Sequence, residues 1–293
     1  MLINSVILFL QDALPVFLIT ALLLLRFIGL TNQQGLTSYL GQLRHKKWLY
    51  QAIIFALVMI FILTKNMAVI TQKFSGMGAE VIFSVAELVV YLCCTVIFIV
   101  DMKNSNNNWP NNQRLKEKLA LVILFMVLSL NGTHFNIYLN GFWAQTEQLE
   151  SLVIGMILGA GICISIAILL YFTLQYCDEN ICVNTSRYIL LFFAVGQLIQ
   201  ATSLLEQVDL LPNGQIVWNS QQLLSENSEL GYLLTALFGY EATPSTMQLA
   251  LYSIALLIPI IIARFLAKKN RRYYLRDNNQ DVLLSTARKK GDL

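Results

Sequence analysis

The stretch LFLQDALPVFLITALLLL, residues 8 to 25, holds one charged side chain, Asp12, in eighteen residues and is followed directly by Arg26. A bilayer core needs about 20 mostly apolar residues per helix, so this run, extended to Ile3, predicts a membrane span. Equivalent runs recur along the whole chain. They predict spans over Ile3 to Leu25, Trp48 to Thr64, Val81 to Val100, Leu119 to Phe142, Leu152 to Tyr176, Tyr188 to Leu205 and Met247 to Leu266. The N-terminal MLINSVILFL has no basic region and no small-residue cleavage site, and reads as part of a retained span.

Composition agrees. The 293 residues are 56% hydrophobic and 13% charged, where soluble domains are about 25% charged and about 45–50% apolar. The sequence therefore predicts an all-α membrane protein whose partner is the lipid bilayer, and the net charge of +3, spread over helix ends and the tail, gives no sign of a nucleic-acid partner.

Charge sets the expected orientation. Arg44, Lys46 and Lys47 follow span one, Lys103, Arg114, Lys116 and Lys118 follow span three, and Lys268, Lys269, Arg271, Arg272 and Arg276 follow span seven. Between Arg187 and Arg264 there is neither Lys nor Arg. By the positive-inside rule the N-terminus lies outside a bacterial inner membrane and the C-terminus in the cytoplasm. The polar linker NSNNNWPNNQ, Asn104 to Gln113, separates two halves of three spans, which must then enter the membrane in opposite senses. The expected organisation is two inverted three-helix repeats, 1–103 and 114–212, then an exterior segment and seventh helix over 213–268, and a tail over 269–293.

Ionisable residues inside spans are costly and mark functional sites by default. Asp12 lies one turn before Pro15, whose ring frees a backbone carbonyl, so a carboxylate and carbonyls stand together as cation ligands. In span four, Asn131 and His134 are three apart on one helical face within a run too polar to meet lipid on every side. Glu80, Ser84 and Glu87 form a polar stripe in span three that leads inward from the outer face. Gln197, Gln200, Thr202 and Ser203 read as packing groups for interhelical hydrogen bonds, and Gly155, Gly159 and Gly161 as a close-approach face. Exterior acids Glu147, Glu150, Glu206, Asp209, Glu226, Glu229 and Glu241 are expected to concentrate cations at the entrance. The cysteines read as packing residues, with Cys177 and Cys182 in a short cytosolic loop and not disulfide-bonded. No nucleophile and base pair stands out, so an enzyme is not expected.

Three stretches, VWNSQQLLSENSELGYLLTALFGYEATPSTMQLALY from Val217 to Tyr252, AVGQLIQATSLLEQVDLLP from Ala194 to Pro212 and the opening span-one segment, resemble the oxidase-dependent high-affinity iron permease family over essentially the whole chain. The resemblance implies iron import, with iron as cargo and no resident cofactor, beside a multicopper oxidase or periplasmic cupredoxin-like partner. The family's Arg-Glu-x-x-Glu positions are here Gln11, Asp12, Ala13, Leu14 and Pro15, and in span four Leu130, Asn131, Gly132, Thr133 and His134. Its His-Glu-Leu-Gln-Glu segment reads Ser203, Leu204, Leu205, Glu206 and Gln207. One carboxylate with an amide and an imidazole suits iron in its ferrous form, or another divalent cation such as manganese, better than hard ferric iron. The expected metal-contacting residues are Asp12, Asn131, His134, Glu87 and Glu80. The loss of three glutamates also fits a non-transporting homologue that acts as a membrane subunit or scaffold.

Overall fold

The computed structural model describes residues 2–28, 47–74, 76–104, 113–143, 149–181, 185–212, 214–226, 228–266 and 268. Arg44, Lys46, Glu147, Cys182, most of the polar linker and the tail beyond 268 lie outside them, and the side chains of Lys47, Lys103, Glu150 and Glu229 are likewise not described. The described residues form α1 (Leu2–Ile28), α2 (Lys47–Lys73), α3 (Gly78–Asn104), α4 (Gln113–Trp143), α5 (Leu149–Asn180), α6 (Thr185–Gln207) and the short α7 (Glu229–Phe238), followed by α8 (Thr246–Leu266). Seven of these, all but α7, are long and apolar enough to cross a membrane. This is an all-α membrane protein, and among the described residues a single bridge, Ile216 to Ser245, is the only β pairing.

Several helices run beyond the expected spans, α3 to Asn104 and α4 from Gln113 among them. Helix α2 runs past Thr64 to Lys73, because Lys65 lays its ammonium 5.7 Å from the Phe61 ring centroid and Asn66 bonds back to Ile62 O at 2.8 Å. Apolar residues then resume the helix. Helix α5 continues to Asn180, so Cys177 sits in its last turns and not in a loop, its carbonyl accepting from Ile181 N at 3.0 Å.

The most extensive helix contacts are α1 with α5, α3 with α6 and α2 with α4. Exchanging α1, α2, α3 for α4, α5, α6 leaves this set of pairs unchanged. At one end, Arg26 of α1 pairs with Asp101 of α3, Lys116 of α4 reaches Asp101 Oδ1 at 2.5 Å, and Arg26 donates to Ser186 of α6 at 3.5 Å. Ser186 in turn donates to Asp178 of α5 at 2.5 Å. Helices α1, α3 and α5 therefore finish at this basic end, where α4 and α6 begin. Just inside it lies the largest core cluster, with Leu22, Leu23, Val90, Ile97, Ile123, Leu124 and Phe193 fully or almost fully buried. Cys94 belongs to that cluster and Cys163 to a second around Leu14 and Leu18, so both pack as small apolar groups.

At the opposite, acidic end, the segment between α6 and α8 folds back onto the bundle. Ser228 caps α7 by accepting from Gly231 N at 3.0 Å. Gly239, at φ +65°, ends α7 in the left-handed region, and Tyr240 N donates to Leu234 O at 3.3 Å. Ser245 and Gln248 then open α8 with a reciprocal capping box: Gln248 N donates to Ser245 Oγ at 3.1 Å and Ser245 N to Gln248 Oε1 at 2.8 Å. The Phe-Gly-Tyr and Pro-Ser elements of this segment are thus a helix stop and a helix start.

Candidate functional site

Within α4 the polar run is distributed among neighbours residue by residue. Gly132 faces α2, where a Cβ would collide with Ile60 Cδ1. Thr133 is buried and donates to Ser129 O at 2.6 Å. Phe135 meets Phe9 of α1 edge-on with centroids 5.3 Å apart, and Asn136 donates to Thr64 of α2 at 3.2 Å. That leaves Asn131 and His134, which turn together into a cavity of about 330 Å³.

The cavity wall is built from four membrane helices and α7. Gln11, Asp12 and Pro15 come from α1, Phe83 and Glu87 from α3, Asn131 and His134 from α4, Gln200, Ser203 and Gln207 from α6, and Tyr232 and Thr235 from α7, with Glu226 from the segment before it. Helix α1 continues unbroken through Pro15. Pro15 offers no N–H to the carbonyl of Gln11 one turn earlier, which keeps a free acceptor beside Asp12. At 1.5 Å rise per residue, Asp12 lies about 15 Å below the start of α1.

Asn131 donates its amide nitrogen to Val127 O at 2.8 Å, so its side-chain oxygen is the group left for the cavity. The His134 ring lies against Phe83, centroids 4.3 Å apart. Glu226 accepts from Ala242 N at 2.5 Å through Oε1, which fixes it at the cavity edge. Oε2 of Glu87 is buried and has no hydrogen-bond partner among the described residues. Among the described residues no Lys or Arg lines the cavity.

Four of the five expected site residues, Asp12, Glu87, Asn131 and His134, share this wall. Glu80 does not. It lies one turn from Phe83, outside the lining, near enough for its charge to act on His134, and its Oε2 is buried without a partner among the described residues. Ser84 is buried and bonds its own turn at Val81 O, 2.9 Å, so the expected Glu80, Ser84, Glu87 stripe does not form one polar path. The lining positions on α3 are instead 83 and 87.

Other sequence expectations are redirected. Gln200 and Ser203, read as packing groups, line the cavity, whereas Gln197 and Thr202 are buried, Gln197 donating to Gln200 at 3.3 Å. Glu206 is not an exterior attractor. It is buried and accepts from Ser245 Oγ at 3.2 Å and Gln248 Nε2 at 2.9 Å, anchoring the start of α8 to the end of α6. Of the glycine face in α5, Gly159 receives Phe9 of α1, its Cβ position 2.9 Å from the ring, while Gly161 has open space. Gln207 stands out in the sequence only as a position of the family segment, and Tyr232 and Thr235 do not stand out, since each lies in a stretch whose place against the bundle only the fold supplies.

Among the described residues no three His, Cys, Asp or Glu side chains converge at metal-ligand spacing. The cavity is an acidic and amide-rich chamber, open to neutral or cationic polar solutes, and not a preformed chelate. Comparison with protein-family models, curated proteins and solved structures finds no match for this chain.

Proposed function

We propose that this protein is a metal-cation permease that imports iron across the bacterial inner membrane. One observation carries the reading: Asp12, Glu87, Asn131 and His134, from three separate helices, meet on the wall of a single cavity without a balancing Lys or Arg among the described residues. Carboxylates inside a membrane span with no cationic partner are expensive, as for Asp12 and Glu87 among the described residues, and a cation cargo offsets that cost. The exchange pattern of the helix pairs supports two inverted three-helix repeats, the architecture in which substrate sites lie between the halves. In this reading the acidic end faces outward, the N-terminus is outside, and the basic end closes the path to the cytoplasm. An iron-oxidising or cupredoxin-like partner at the outer face follows from the family resemblance alone.

A second reading, a non-transporting membrane subunit, is favoured by the absence of a converged three-ligand cluster among the described residues. Uptake of radioactive iron by cells lacking their own iron importers separates the two. The permease reading expects accumulation above vector controls and a drop of at least about ten-fold in Asp12→Ala at equal membrane abundance. No accumulation by the native protein assigns it to the subunit reading.

A further inference from the structure

Resting on the permease reading, we propose that the cavity takes its divalent cation with the first hydration shell intact, holding it through its water molecules instead of by direct coordination. Direct coordination needs several donor atoms within about 2.0–2.6 Å of one point. The described residues offer no such convergence of His, Cys, Asp and Glu. The cavity is also far too large for a bare ion: six waters at about 30 Å³ each fit with room to spare in its roughly 330 Å³.

The chemistry of the wall matches that occupant. Water bound to a cation turns its hydrogens outward, so a site for a hydrated ion needs acceptors at a distance from the ion. Asn131 has its amide nitrogen engaged with Val127 O and presents oxygen. Glu226 is held by Ala242 N through one oxygen, with the second available. Asp12 and Glu87 supply carboxylates from two further helices. Water-mediated contacts of this kind are nearly as favourable as direct hydrogen bonds, and they leave the ion mobile enough to be released.

The test uses hexaamminecobalt(III), whose ammine ligands do not exchange and which therefore mimics a hydrated ion that cannot shed its shell. Binding of Mn²⁺ to the purified full chain is measured by calorimetry with and without the hexaammine, in about 0.15 M salt so that diffuse attraction to the acidic end is screened. The proposal expects the hexaammine to displace Mn²⁺ with a Kd within ten-fold of that of Mn²⁺, and Asp12→Asn to weaken both by ten-fold or more. Glu226→Gln, at the cavity edge, is the second variant and is expected to weaken both in parallel should Asp12→Asn fail to fold. Mn²⁺ binding that the hexaammine leaves untouched overturns the proposal while sparing the permease reading. Competition that persists unchanged in both variants places the ion elsewhere and overturns the site. Failure of the native chain to bind either ion overturns the proposal, while the permease reading stands or falls separately on iron uptake by cells.

Discussion

Gly196 and Gly239 meet backbone to backbone: a Cβ built on Gly196 would lie 2.8 Å from Gly239 N, and one built on Gly239 would lie 2.5 Å from Gly196 Cα. The contact seats the left-handed end of α7 on the middle of α6, and α7 carries Tyr232 and Thr235 into the cavity. Overpacking of this kind costs about 1–3 kcal/mol. Gly196→Ala is therefore expected to lower the melting temperature in detergent and to weaken cation binding together, because α7 must move away from the cavity wall. Gly161→Ala, which meets open space inside α5, is the matched control and is expected to lower neither. Equal effects of the two substitutions would discard the close-contact explanation.

The basic end depends on Asp101, which is buried and paired with both Arg26 and Lys116. Removing one partner of a buried pair typically costs about 3–5 kcal/mol, since the remaining charge is left uncompensated. Asp101→Asn strands two cations and is expected to unfold at markedly lower denaturant concentration. Adding Lys116→Met to it restores part of the loss, so the double variant is less destabilised than the two single effects would sum to. Strict additivity in the unfolding cycle would show that the two side chains are not coupled.

Glu241 lies outside the spans, in the turn before α8. Burial raises its carboxyl above the ordinary value, with Glu226 and Glu206 nearby adding to the effect and a hydrogen bond from Gln248 opposing it. The folded state thus binds this proton more tightly than the unfolded chain does. Its stabilising contribution is fully present below the unfolded carboxyl value, about 4.3, and is lost as pH rises through the folded one. Glu241→Gln removes that loss, and its melting temperature is expected to exceed that of the native protein at pH 7.5 and to approach it near pH 4. A native protein that melts above the variant at pH 7.5 contradicts the assigned direction.

What this sequence determined by itself was the class of protein and the number of membrane-spanning helices. Apolar length measured against bilayer thickness is a local property that needs no tertiary contact, and the Ser245 to Gln248 capping box that starts α8 is local in the same way. Asp12, Asn131 and His134 were legible because a polar group inside an apolar run is conspicuous wherever the helix points. Only the tertiary structure decided which polar groups act together. Gln197 and Gln200 share a span and a residue type, yet one is buried in packing and the other lines the cavity. Glu206 and Glu226 are both acids near the same end, yet the first anchors α8 and the second edges the cavity. A side chain's role in a helix is set by the direction it faces once neighbours are packed, and that direction comes from contacts between residues far apart in the chain, such as Gly196 with Gly239.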